Sequence, residues 1–230
     1  MFSTLLWDID GTLLDFKAAE KAAVLSLFSQ FGLGKCTDQM IERYSEINLR
    51  YWERLERKEL SKPDILVFRF RDFFSEYGID PAFAEPFNAE YQLRLGDTIA
   101  FRDNSYDIVK ALRGRVKQYV VSNGTILAQN KKLKASGLGA LMDGVYLSEE
   151  VGVEKPDVRF FEKIFSEISE KDKSRILIIG DSLTSDMQGG NNAGIACCWY
   201  NPFKAPLKGA LHIDYEISDL HEIYGILKLD

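Results

Sequence analysis

An excess of positive charge is what this chain lacks. Its 230 residues carry 29 Lys and Arg against 35 Asp and Glu, for a formal net charge of −6 and a pI near 5.2. No basic run offsets that balance, which argues against a general nucleic-acid face and leaves a small molecule as the expected partner. Long apolar runs are missing as well. Stretches such as Ile176-Leu177-Ile178-Ile179 are far too short to span a bilayer, and the first residues lack the basic-then-apolar pattern of a leader. A cytoplasmic protein without a membrane partner is the expectation. Cysteine is sparse: Cys36, Cys197 and Cys198 match neither a disulfide framework nor a zinc spacing, and read as reduced, small buried hydrophobes. His212 and His221 cannot be tied to any of them.

Close to the N-terminus, Thr4-Leu5-Leu6-Trp7-Asp8-Ile9-Asp10-Gly11-Thr12 runs an apolar stretch into two aspartates one residue apart. In an extended backbone, side chains at i and i+2 share a face, so Asp8 and Asp10 leave a buried strand aimed the same way. Paired carboxylates suit a bound cation, or a division of labour between an ionised and a protonated acid. An ordinary Asp-Gly turn explains the same residues.

Further apolar runs occur at Tyr119 to Val121, Val145 to Leu147, Ile176 to Ile179 and Ala196 to Tyr200. After residue 100 they alternate with helical periodicity at Tyr106 to Leu112, Ile126 to Ala135, Phe160 to Ile168 and Leu220 to Leu227. That alternation predicts an α/β fold, a parallel sheet with helices on both faces. The stretch from about Lys17 to Leu93 shows helical patterns only: Ala18 to Phe31, Asp38 to Arg57, Asp64 to Tyr77 and Ala82 to Leu93, with Pro63 and Pro81 suited to first helical turns. The expected organisation is a sheet domain of residues 1–15 and 95–230 interrupted by a helical insertion, residues 16–94.

Three more segments put polar residues where strands give way to helices. Val120-Val121-Ser122-Asn123-Gly124-Thr125 offers a hydroxyl and backbone N–H groups to a phosphate oxygen, although helix N-capping by Ser122 or Asn123 accounts for them too. Glu154-Lys155-Pro156-Asp157 holds a lysine in a stiff turn, where it can neutralise an anion or simply be solvated. Ile178-Ile179-Gly180-Asp181 adds a third carboxylate at a strand end, with Asp186 five residues on, where a first-turn acid also suits a helix dipole. Ligands of open α/β sheets bind beyond the carboxyl ends of the strands, and several oxygen ligands with room for water describe a Mg²⁺ site.

Taken together, Asp8-Ile9-Asp10-Gly11-Thr12, Ser122, Lys155, and Gly180-Asp181 with Asp186 resemble, in order, the four motifs of the haloacid dehalogenase (HAD) superfamily of phosphohydrolases. The resemblance implies a Rossmann-like core and an α-helical cap between the first and second motifs. It also implies a Mg²⁺-dependent phosphate monoester hydrolase. Asp8 would be the nucleophile forming an aspartyl-phosphate, and Asp10 would protonate the leaving oxygen and then activate water. Asp8, the Asp10 carbonyl and Asp181 would hold Mg²⁺, with Asp186 behind them. Ser122, the Asn123 N–H and Lys155 would hold the phosphoryl oxygens.

The segments Ile47 to Arg57, containing Arg50 and Trp52, and Gly189 to Pro202 look like the house-cleaning pyrimidine 5′-nucleotidase branch, which implies a nucleoside monophosphate substrate. Packed cap core and solvated surface explain Trp52 and Arg50 equally. A sugar-phosphate phosphatase, a phosphomutase and a catalytically silent binding module are the competing readings. Asp10 counts against a dehalogenase, which needs no acid there.

Overall fold

The computed structural model describes residues 1–207 and 209–229. Strand β1 (Thr4–Trp7) is buried along its whole length, as strands are when both faces of a parallel sheet are covered. Helices α1 (Phe16–Gln30), α2 (Asp38–Glu56), α3 (Lys62–Glu76) and α4 (Ala84–Arg94) follow without an intervening strand. Then come α5 (Ser105–Leu112), β2 (Lys117–Ser122), α6 (Ile126–Ser136), β3 (Gly144–Leu147), α7 (Ser148–Val151) and α8 (Val158–Glu167). The chain closes with β4 (Ile176–Gly180), α9 (Gln188–Ala193), β5 (Ala196–Tyr200), β6 (Tyr215–Ile217) and α10 (Ile223–Leu227). The six strands form one sheet in the order β3-β2-β1-β4-β5-β6, with every neighbouring pair parallel. The fold class is therefore the expected Rossmann-like α/β core with helical insertion. Strand β6 is an addition to the sequence reading: three residues at a sheet edge are too few to show an alternating pattern.

Two compact units divide the chain: Met1–Asp15 with everything from Ala100 onward, and Phe16–Ile99. The return to the first unit comes later than residue 95 because main-chain pairing sets it. Asp15 N donates to Ala100 O at 2.8 Å and Arg102 N to Leu13 O at 3.1 Å, while Arg102 pairs with Asp15 at 3.2 Å. One flank of the sheet core in the first unit is built from Leu6, Val121, Ile176 and Ile178 against Phe160, Phe161 and Ile164. Among the described residues no helix is long and apolar enough to cross a membrane.

In the helical unit, α2 and α3 begin with side-chain caps. Thr37 Oγ1 accepts from Met40 N at 3.3 Å, and Ser61 and Asp64 form a reciprocal capping box ahead of α3, with a proline in its first turn. Its centre is aromatic: Tyr44 stacks on Phe70 with centroids 4.8 Å apart, and Phe73, Phe74, Phe87 and Tyr91 surround them. A polar chain threads this core. Glu20 accepts from Ser45 and from Asn48 Nδ2 (3.0 Å), Arg69 donates to Asn48 Oδ1 (2.6 Å) and Asn88 Oδ1 (3.0 Å), and Gln92 donates to Asn88 (3.0 Å).

Burial raises the Glu20 carboxyl above its ordinary value of 4.5, against the pull of Ser45, Arg69 and Asn48. The folded protein therefore holds this proton more readily than the unfolded chain. The stabilisation is complete below pH 4.5 and is lost as pH rises through the raised value. Glu20→Gln removes this contribution. Relative to wild type, the variant should gain stability as pH rises from about 4.5 towards neutrality, read as the difference between the two proteins' urea midpoints across that range.

Candidate active site

The sheet order sets the position of the site. From β1 the chain builds outward through β2 and β3 on one side, then through β4, β5 and β6 on the other, so it reverses between β1 and β4. Crevices at such reversals, beyond the carboxyl ends of the strands, are where open α/β sheets bind ligands. Trp7 is in register with Val120 and with Ile179, so Asp8, Ser122 and Asp181 emerge side by side at that end.

Asp8 remains anchored to the ladder through its N–H on Ile179 O at 2.9 Å. The following residues turn sharply: Leu14 N returns to Ile9 O (2.9 Å), and Gly11 N donates to Leu14 O (2.9 Å). The segment does turn, as its Asp-Gly pair allows. Gly11 has φ +100°, and a Cβ there would fall on the Asp181 carboxylate, which accepts from Thr12 Oγ1 at 3.3 Å. Trp199 Nε1 ties the Asp181 carbonyl to β5 at 3.0 Å. Gly180 plays the matching part for Asp186, whose carboxylate occupies the space a Cβ would need.

Oxygens of Asp8, Asp181 and Asp186 lie within 4.8 Å of one another. Lys155 enters among them. Its ammonium, 1% exposed, donates to Asp8 Oδ1 at 2.9 Å, Asp186 Oδ1 at 2.6 Å and Val121 O at 2.8 Å, which uses all three N–H bonds. Burial alone would lower the lysine's pKa, but Asp186 and Asp8 more than offset it and hold it above its ordinary value. Asp8 is pushed well above the usual carboxylate range by burial and by Asp186 and Asp181, despite Lys155. Asp181 reaches the surface, yet the atoms crowded around it and the charge of Asp186 push it up to about 7. Fully ionised, as a bound cation would make them, the three carboxylates and one ammonium have a formal charge of −2. Hard oxygen donors with that surplus fit one divalent cation such as Mg²⁺.

Asp186 lies not in a regular first helical turn but in a π-helical segment, Leu183–Met187, with its Oδ2 accepting from Ser182 N at 3.2 Å. Ser122 is buried and accepts from Gly124 N at 3.1 Å, which leaves its own hydrogen to donate. Neither Ser122 nor Asn123 caps α6; Thr125 does, accepting from Ala128 N at 3.3 Å. The Asn123 side chain instead brackets the lysine's backbone, donating to Lys155 O (2.9 Å) and accepting from Lys155 N (2.8 Å).

The carboxylate of Asp10 is not among the three that converge. It is held by two residues that sequence reasoning passed over, Gln129 and Lys132, each at 2.6 Å. Their i, i+3 spacing on α6 was the available signal. The cap residues Trp52 and Arg50 are half-buried and exposed, respectively.

The strand-end carboxylates, the buried lysine and the helical insertion define a HAD-type architecture. The haloacid dehalogenase-like hydrolase model matches residues 2–194, and the chain belongs to that family. It is 34% identical over 229 residues to the HAD-hydrolase YfnB of Bacillus subtilis, covering 100% of this chain and 97% of the relative. A structure of YfnB bound to magnesium superposes with a TM-score of 0.92, at 33% identity, over 99% of each chain. Pyrimidine 5′-nucleotidase PynA of Streptococcus pneumoniae is 34% identical over 98% of this chain and 95% of its own length. Pyrimidine 5′-nucleotidase YjjG of Escherichia coli is 25% identical over 97% and 96%. The protein is an enzyme, a phosphatase of the HAD type.

Removing the ammonium alone should expose how much depends on it. Lys155→Met leaves Asp8 and Asp186 buried without their counter-charge, and truncating one partner of a buried ion pair costs about 3–5 kcal/mol. The expected outcome is a loss of that size in denaturant-measured stability.

Proposed function

We propose that this enzyme hydrolyses phosphate monoesters through an aspartyl-phosphate on Asp8, and that its substrates are pyrimidine nucleoside 5′-monophosphates. The observation that carries the chemistry is the −2 cluster of Asp8, Asp181, Asp186 and Lys155, standing apart from the independently held Asp10. One carboxylate is bound into an electrophile-binding cluster and a second is free of it, which is the separation a nucleophile and an acid–base partner require.

Asp8, the Asp10 carbonyl and Asp181 would hold Mg²⁺, with Asp186 orienting Lys155 behind them. When bound, the ion supplies positive charge to the phosphoryl oxygens and to the attacking carboxylate. The chain's own groups do the rest. Ser122 Oγ and the Asn123 N–H donate to the phosphoryl oxygens, and the Lys155 ammonium, whose protons are taken by Asp8, Asp186 and Val121 O, counters their charge as the bond to the leaving oxygen breaks. Asp8 attacks phosphorus. Asp10 gives its proton to the departing alkoxide, then takes one from the water that hydrolyses the intermediate, returning Asp8 as a carboxylate.

The nucleotide reading is supported by the whole-length similarity to two proteins named as pyrimidine 5′-nucleotidases. It is tested by phosphate release from nucleoside monophosphates and sugar phosphates, with Mg²⁺ or EDTA. Mg²⁺-dependent turnover favouring UMP, dUMP or dTMP, and abolished in Asp8→Asn, is expected. Activity confined to sugar phosphates would keep the mechanism and overturn the substrate, and transfer of the phosphoryl group to a second sugar would mark a mutase. Silence on every ester would leave a binding module.

Ion binding has its own readout. At a hundred times its dissociation constant, Mg²⁺ should raise unfolding free energy by about 2.7 kcal/mol. Asp181→Asn should abolish most of that increment in a thermal melt.

A further inference from the structure

The Asp10 carboxylate meets α6 in an unusual way. Two polar side chains one helical turn apart, Gln129 and Lys132, are 0% and 2% exposed and both point onto it. Gln129 Nε2 donates to Oδ2 and Lys132 Nζ to Oδ1, each at 2.6 Å. A buried position on a core-facing helix is ordinarily filled by an apolar residue, because a lysine taken out of water needs a negative partner to be tolerated.

Gln129 is fixed from behind as well. It packs against the backbone of Gly124, where a Cβ would overlap its amide. Its Oε1 is buried with no hydrogen-bond partner, so the amide is turned to give its N–H to Asp10 while its own acceptor goes unsatisfied. A terminal carboxylate torsion is broad and roughly two-fold; donors on both oxygens confine it to one setting. A carboxylate has about four lone-pair sites, so two donors leave one on each oxygen for the transferred proton.

We propose that Gln129 and Lys132 are positioning residues that hold the Asp10 carboxylate in the orientation from which it transfers a proton. This rests on the reading of Asp10 as acid and base. In the first step the proton passes from the Asp10 carboxyl to the leaving oxygen as the P–O bond breaks. In the second, a water proton passes to the Asp10 carboxylate as the water oxygen bonds to phosphorus and the Asp8–phosphorus bond breaks. Losing the two donors leaves the carboxylate in place and lets it rotate.

The signature is leaving-group dependence of kcat/KM, which includes only the steps up to transfer of the phosphoryl group to Asp8. p-Nitrophenolate leaves without a proton, whereas phenolate and the ribose 5′-oxygen need one. In Lys132→Met, kcat/KM should fall for phenyl phosphate and UMP by about ten-fold or more beyond any fall for p-nitrophenyl phosphate, within the range attributed to general acid catalysis. Gln129→Leu and Gly124→Ala should shift the same ratio in the same direction. Lys132→Arg, which keeps the charge and a donor, should restore most of it even if Lys132→Met folds poorly.

Equal losses on all substrates, or none, in variants with wild-type melting curves would overturn the proposal. Asp10→Asn separates the two layers. If it selectively abolishes turnover of phenyl phosphate and UMP while the α6 variants leave the ratio unchanged, the positioning role alone falls. If Asp10→Asn behaves as wild type, the acid–base assignment falls and the positioning role with it.

Discussion

The Lys155 ammonium is the interaction around which the core's working end is built. It is almost fully buried, and its three protons go to Asp8, to Asp186 and to a carbonyl of β2. Those partners come from three separate parts of the chain, so one cation fastens the end of β1, the end of β2 and the turn after β4. Without it, two carboxylates would be buried close together in a low-dielectric setting, an arrangement that proteins avoid. The lysine is itself fixed by its backbone, bracketed by the two ends of the Asn123 side chain. The negative surplus left over after that pairing is what makes the site attractive to a divalent ion.

Two glycines give this arrangement its density. Gly11 and Gly180 leave out the Cβ atoms that would collide with Asp181 and Asp186. Backbone and carboxylate can therefore approach at distances no other residue permits, and burial together with the nearby charge of Asp186 raises the proton affinity of Asp8 and Asp181. Asp10 sits outside this crowd with its own donors. The two carboxylates that leave β1 one residue apart thus meet different surroundings, and different surroundings are how one chemical group comes to serve two roles.

Much of this was legible in the sequence, because apolar runs ending in small polar residues are a local pattern with a direct structural meaning. Strands β1 to β5 and helices α5, α6, α8 and α10 follow from apolar runs and periodicity; the short α7 and α9 do not, nor does β6, since Tyr215–Ile217 pairs at an edge with too few residues to carry a pattern. The π-helical setting of Asp186 was equally hidden, because it depends on where the Gly180 backbone lets the carboxylate lie. Gln129 and Lys132 read as ordinary polar residues of an amphipathic helix. That they turn inward, onto an aspartate 119 and 122 positions earlier, is decided by the sheet bringing α6 beside the end of β1. Asn123 was read for its N–H, while the structure uses its side chain on Lys155.

The position of β1 in the sheet bears on how the protein is made. The strand is central, yet Thr4 pairs with Lys117 on one side and Ile176 on the other. At translation rates of roughly 5–20 residues per second, the first strand emerges from the ribosome on the order of ten seconds before its last neighbour. The helices of residues 16–99 have mostly local contacts and can form in the interval, since short-range contacts close fastest. The nascent sheet has no such option. Its fully buried first strand waits, and the carboxylate cluster is a late product of synthesis, since two of its carboxylates arrive only with the turn after β4.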